Sequence, residues 1–271
     1  MTTTGRSGIQ RQRHGPGSRG RRAHALLLGG AVWLLAAIVP CTALAGESAV
    51  AAPASDAVAT PSSQTTAEPA LSRAMTRAAR PFRGTIHAIT PQMKAMMRQS
   101  GAWKPGCPVR FGDLRLLKLT YWGFDKRAHT GKLVVARQWA KPLVGVFRKL
   151  YKARFPIRRM KLIDVYGASD RRSMNADNTS AFNGRYVSGT TRWSMHAYGL
   201  AIDINPVENP YVSGSYVSPK AGRKYADRSR KAKGMVHSGD VVVRAFRSIG
   251  WKWGGDWPGT KDYQHFSSTG G

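Results

Sequence analysis

The stretch Trp193-Ser194-Met195-His196-Ala197-Tyr198-Gly199-Leu200-Ala201-Ile202-Asp203-Ile204-Asn205 decides how this 271-residue chain is read, together with Asp262-Tyr263-Gln264-His265-Phe266 near its end. Two histidines and two aspartates stand out in it. A catalytic zinc typically takes three protein ligands from histidine and carboxylate and leaves one position for water. A second carboxylate then serves as general base, taking a proton from the water and passing it to the leaving amine. His196, Asp203, Asp262 and His265 supply the residues for these four roles.

Geometry limits their placement. An uninterrupted strand would separate His196 from Asp203 by about 23 Å at ~3.3 Å per residue. The chain must therefore turn between them, and Gly199 can supply the turn. Asp262 and His265 would face opposite sides of one regular strand. Asp262 is therefore expected in the loop leading into a short strand that bears His265.

Rival readings of these residues are weaker. His87, His129 and His237 lie outside any comparable His/Asp motif and read as surface or capping residues. A Ser194-His196-Asp203 triad has no G-x-S-x-G elbow to support it. The absence of H-E-x-x-H excludes the helix of the thermolysin-like peptidases.

Around these motifs the chain mixes strands and helices without a regular βαβ alternation. Pro91 to Ser100 reads as a helix ended by Gly101. Leu114 to Trp122 and Lys132 to Ala136 read as neighbouring strands. Leu143, Val146, Phe147, Leu150 and Tyr151 mark one face of an amphipathic helix between Arg137 and Arg154. Its Arg148, Lys149, Lys152 and Arg154 read as a solvated face. Leu162 to Tyr166 and Leu200 to Ile204 are further strand candidates. Val242, Ala245, Phe246 and Ile249 define a late helix, with Ser238 as its cap and Gly250 as its stop. The expectation is a single α+β domain with a small, largely antiparallel sheet flanked by helices.

Charge and composition bound the setting. Lys+Arg number 43 against 14 Asp+Glu, a net charge of +29. Residues 1–45 carry six arginines and no acid, then an apolar run from Ala25 to Val39, then Ala43-Leu44-Ala45. This reads as an export signal cleaved before Gly46; an uncleaved membrane anchor is the alternative, although the run is short of the ~20 residues a span needs. Removing it leaves 37 bases against 14 acids, so the exported chain is still strongly basic. Residues 46–82 are rich in Ala, Ser, Thr and Pro with no aromatic residue before Phe82, and read as a flexible tether. Residues 83–271 form the expected domain. Two cysteines, Cys41 and Cys107, make neither a disulfide scaffold nor an all-cysteine zinc site, and Cys107 reads as a buried small hydrophobe. Glu208 is the domain's single glutamate, so a glutamate base has almost nowhere to sit.

The pattern Ser194-x-His196-x-x-Gly199-x-Ala201-x-Asp203 followed by Asp262-x-x-His265 resembles the zinc D-Ala-D-Ala peptidase family. This family includes D,D-dipeptidases, D,D-carboxypeptidases and the L-alanyl-D-glutamate endopeptidases of phage endolysins, with lysostaphin and the hedgehog signalling domain as more distant relatives in fold. The similarity runs from about Gly84 to Phe266 and takes in Tyr166-Gly167-Ala168-Ser169-Asp170, Asn178-Thr179-Ser180-Ala181-Phe182-Asn183 and Asn205-Pro206. It implies that His196, Asp203 and His265 bind one zinc ion and that Asp262, where many members carry glutamate, is the general base. It also implies a substrate-contacting, oxyanion-stabilising arginine, for which Arg185 matches best and Arg192 competes, and a substrate-lining role for Ser194. Trp251, Trp253 and Trp257 are open between packing and substrate contact.

The resulting expectation is an exported zinc metallopeptidase that hydrolyses peptide stems of bacterial peptidoglycan as a D-Ala-D-Ala carboxypeptidase or L-Ala-D-Glu endopeptidase. It would be secreted or wall-associated, retained by anionic wall polymers, monomeric, and in contact with membrane only if the leader stays uncleaved. The alternative is a non-catalytic zinc-containing wall-binding module. A nucleic-acid partner, suggested by charge and eight tryptophans, is disfavoured by the export signal and the lack of a recognised nucleic-acid motif.

Overall fold

The structure is a computed structural model that describes residues 80–270. The leader at 1–45 and the tether as far as residue 79 lie outside the described residues. Among the described residues, the Arg80 carbonyl accepts a hydrogen bond from the Tyr151 hydroxyl, and the Phe82 ring lies 5.8 Å from that of Tyr151.

The largest sheet is antiparallel in the order β1 (Gly84–Ala88), β2 (Leu114–Gly123), β3 (Ala128–Ala136), with β4 (Pro156–Ile157) paired in parallel to the end of β2. Side chains alternate across a strand, and here both faces are buried. Leu117, Leu119, Leu133 and Val135 enter one core; Leu114, Leu116 and Val134 enter the other. This two-sided burial is why β2 reads as a nearly continuous apolar run.

The first core is closed by α2 (Ala140–Lys152), whose buried Leu143, Val146, Phe147 and Leu150 face β2 and α4 (Val241–Arg247). The second core is closed by α1 (Pro91–Ser100), which starts at the Thr90 cap with Pro91 in its first turn and stops at Gly101, φ 81°. A short α3 (Asp170–Asn175) is capped by Ser169.

Two smaller antiparallel sheets complete the fold. One has the order β5 (Ala201–Asp203), β10 (His265–Ser267), β8 (Lys252–Trp253); the other has β7 (Tyr216–Ser218), β6 (Tyr211–Ser213), β9 (Lys261–Asp262). The α+β expectation holds, with three small sheets in place of one.

Two expectations are corrected. Leu162 to Tyr166 is no strand: Ile163–Tyr166 is a 3-10 turn closed by Gly167 at φ 57°, with Val165 pointing outward and Asp164 accepting from the Ser100 hydroxyl at 2.6 Å. A five-residue segment interrupted by Asp164 has no intrinsic preference for a strand once no partner strand lies beside it. The late helix is capped by Asp240 rather than Ser238, because the Asp240 carboxylate accepts from the amides of Val242 and Val243. Gly250, φ 82°, ends that segment as expected.

Candidate metal centre

The open edge of β3 organises the site. Phe182 donates its amide to the Val134 carbonyl, and Ala136 donates to the Gly199 carbonyl, so the segments around Ala181 and Gly199 hang from one strand. Met195–Tyr198 forms a 3-10 turn capped by the Ser194 hydroxyl, which accepts from the His196 amide. Gly199 follows at φ 68°, and a Cβ there would lie 2.6 Å from the Ala136 amide nitrogen. Left-handed backbone and close approach together require glycine. The turn expected between His196 and Asp203 is this one.

Asp203 ends β5, and His265 opens β10 directly opposite it in the antiparallel register. Asp203 also exchanges backbone hydrogen bonds with Ser180 at 2.9 and 3.1 Å. His196 Nδ1 lies 2.6 Å from the Ala181 carbonyl; a carbonyl only accepts, so Nδ1 carries the proton and the lone pair sits on Nε2. That Nε2 is buried, makes no hydrogen bond and lies 3.2 Å from Asp203 Oδ2. His265 Nδ1 lies 3.1 Å from Asp203 Oδ1. One donor atom from each of the three residues falls within 4.8 Å of the others.

This arrangement fits a zinc ion. Two ligands bound at 2.0–2.1 Å in a tetrahedron are about 3.3 Å apart, close to both nitrogen–oxygen separations. A backbone carbonyl that fixes the histidine tautomer is the usual outer support of a metal-binding imidazole. All three residues are buried. Burial opposes ionisation of Asp203, but the charge of the adjacent His196 imidazole and the charge and hydrogen bond of His265 outweigh it and hold the carboxyl well below the usual range. Burial likewise depresses His196, and the neighbouring Asp203 more than restores it, so the imidazole sits above its ordinary value. A metal therefore competes with a proton at His196.

Asp262 arrives from a different sheet. It lies in β9, opposite Tyr211 of β6, rather than in the loop expected before His265. Tyr263 and Gln264 carry the chain from β9 into β10. Its Oδ1 is buried without a hydrogen-bond partner. Burial, reinforced by the charge of Asp203 and opposed by His265 and His196, pushes its carboxyl up to about 6. Gly254 permits the approach: a Cβ there would lie 2.5 Å from the Asp262 carbonyl oxygen.

The guanidinium of Arg185 is held at 2.9 Å by Asp170, in the first turn of α3, and its Nε is buried and unpartnered. It is close enough to act electrostatically on His196. Arg192 is exposed on the same hairpin. Ser194 is placed as the cap of the His196 turn. Trp251 and Trp253 are buried in the core, whereas the Trp257 ring lies 5.5 Å from that of His265. His129 pairs with exposed Asp125, His87 with Thr85, and His237 is half-buried with an unpartnered Nε2; none joins the cluster. Cys107 is half-buried and accepts weakly from the Lys104 amide.

Sequence reasoning missed two supports. Asp170 carried no signal beyond its place in a quoted motif. Glu208, noted only as the sole glutamate of the domain, is buried beside Asp177 and Arg158; burial and then Asp177 push its carboxyl up to about 8.

Neither the curated proteins nor the solved structures contain a match to the chain. Residues 188–268 match the family model described as D-alanyl-D-alanine carboxypeptidase, a segment that contains His196, Asp203, Asp262 and His265 but not Arg185. That match makes residues 188–268, the segment in which the three donors converge, similar to the D-alanyl-D-alanine carboxypeptidase family.

Proposed function

We propose that the chain is an exported zinc peptidase that hydrolyses an amide bond in the peptide stems of peptidoglycan, as a D-Ala-D-Ala carboxypeptidase or an L-Ala-D-Glu endopeptidase. The observation that carries this reading is the meeting of His196 Nε2, the Asp203 carboxylate and His265 Nδ1 beside a fourth, unpaired carboxyl on Asp262.

His196, Asp203 and His265 would hold zinc, which when bound activates water and polarises the scissile carbonyl. Asp262 accepts the proton of the attacking water at its unpartnered Oδ1 and returns it to the leaving amine. A carboxyl raised to about 6 suits both halves of that transfer near neutral pH. Arg185, oriented by Asp170, offers its guanidinium to a substrate carboxylate or to the oxyanion. The net charge of the exported chain, 37 bases against 14 acids or +23, favours retention on anionic wall polymers, and the basic-apolar-AxA leader favours export.

The test is mass spectrometry of purified muropeptides after incubation with the zinc-loaded protein. Loss of a terminal alanine identifies the carboxypeptidase, and release of the stem from its first alanine identifies the endopeptidase. Binding to wall material with no mass change would overturn the peptidase reading in favour of a wall-binding module.

A further inference from the structure

The hairpin that links Arg185 to Ser194 carries an aromatic pair that the peptidase mechanism does not use. Ser194 donates its amide to the Arg185 carbonyl, Val187 donates to Arg192, and Tyr186 and Trp193 face each other as bridge partners. Their rings lie 4.1 Å apart, centroid to centroid, yet Tyr186 remains 44% exposed. The ammonium of Lys104 lies 5.7 Å from the Tyr186 ring and 5.8 Å from the Trp193 ring, within cation–π range.

This shelf is tied to the metal centre at both ends. Tyr186 directly follows Arg185, which Asp170 holds, and Trp193 directly precedes Ser194, which caps the His196 turn. Lys104 is fixed to the same base, because Gly184 donates its amide to the Ala102 carbonyl at 2.8 Å. A Cβ at Gly184 would stand 2.5 Å from Cys107 Sγ and 2.6 Å from that carbonyl, so glycine brings the two loops together.

The charge around the shelf has one sign. Residues 185–194 contain Arg185 and Arg192 and no acid; residues 101–110 contain Lys104 and Arg110 and no acid. Arg110 is paired with Asp113, and Arg185 with Asp170, which leaves Lys104 and Arg192 without an acidic partner among the ion pairs of the described residues. An open aromatic face next to a free cation suits a residue with an aliphatic stem and a terminal carboxylate. We propose that Tyr186, Trp193 and Lys104 form a subsite for a carboxylate-bearing residue of the substrate peptide, beside the metal centre. The subsite rests on the peptidase reading for its substrate class.

The test is calorimetric binding of two purified muropeptides to the zinc-loaded full-length chain. The two differ only in whether the acidic stem residue carries a free carboxylate or a carboxamide. The wild type is expected to bind the free acid about fivefold more tightly, as a partly solvated charge pair would give. Lys104→Ala removes this preference, Tyr186→Ala weakens both ligands, and Tyr186→Phe retains wild-type binding, all with unchanged zinc content. Equal affinity of the wild type for both ligands overturns the subsite, as does a preference that survives Lys104→Ala. Carboxylate-selective binding with no cleavage would overturn the peptidase reading and leave the subsite standing.

Discussion

Replacing Asp262 with asparagine should make the metal-free protein more stable while removing its activity. The Asp262 carboxyl ionises near 3.8 in an ordinary setting and near 6 in the fold. Between those values the folded chain holds a proton that the unfolded chain has released. Stability from this group is therefore fully present below about pH 4 and is lost as pH rises through about 6. A separation of about two units corresponds to roughly 3 kcal/mol. Partial exposure of the side chain and the unpaired amide left by asparagine reduce the expected net gain at pH 7.5 to about 1–2 kcal/mol. For a domain of this size that gain raises the thermal midpoint by about 2–8 °C. Scanning calorimetry in chelator should show Asp262→Asn above the wild type at pH 7.5, with the gap shrinking at pH 4. With zinc bound, the same variant should lose about 10²- to 10⁴-fold in muropeptide hydrolysis. A variant no more stable than wild type at pH 7.5, or a gap independent of pH, would refute the claim that burial of Asp262 is what poises it.

His196→Ala, Asp203→Ala and His265→Ala should each abolish stoichiometric zinc in metal analysis. Excess zinc should raise the wild-type midpoint but not theirs; at a thousandfold excess over Kd the wild type gains about 4 kcal/mol. Gly199→Ala places a Cβ on the Ala136 amide at a left-handed position, and thermal melts should show a loss of about 1–3 kcal/mol. Glu208 is held near 8 against an ordinary 4.5, so its contribution is fully present below about pH 4.5 and is lost as pH rises through 8. Melts of Glu208→Gln should accordingly gain on the wild type between pH 6 and pH 9.

Local signals were enough for parts of this fold. The Leu143-to-Tyr151 stripe, the Pro91-to-Ser100 extent of α1 with its stop at Gly101, and the pairing of β2 with β3 all follow from short-range pattern and backbone chemistry. Long-range pairing was hidden. β1, β6, β7 and β8 are five residues or fewer, too short to carry a period, and exist because a partner strand supplies their hydrogen bonds. The candidate metal ligands were legible because two histidines and two aspartates supply the residue types a catalytic zinc needs, in a pattern that resembles a known family. Asp170 was not, because an aspartate after a serine in the first turn of a helix looks like helix-terminus chemistry; only the fold brings Arg185 to it. Glu208 gave a count but no environment, since its raised ionisation depends on Asp177, which lies 31 residues away.

The spacing Asp262-x-x-His265 acquires its meaning from the two sheets. On one regular strand these side chains would oppose each other, and a single edge could not present both to one site. In the structure Asp262 pairs with Tyr211 in one sheet and His265 pairs with Asp203 in another, with Tyr263 and Gln264 as the crossing. The crossing is pinned on both sides: Ile204 donates to the Gln264 carbonyl at 2.9 Å, and Trp253 Nε1 donates to the Tyr263 carbonyl at 2.8 Å. Arg228 stacks on the Tyr263 ring at 4.3 Å while donating to the carbonyls of Glu208, Tyr225 and Val236. The candidate ligand His265 and the proposed base Asp262 are thus set at fixed separation by two residues whose backbone and ring are held independently of any metal. A centre preorganised in this way spends little binding energy on assembling itself, which leaves substrate contacts to decide what is cleaved.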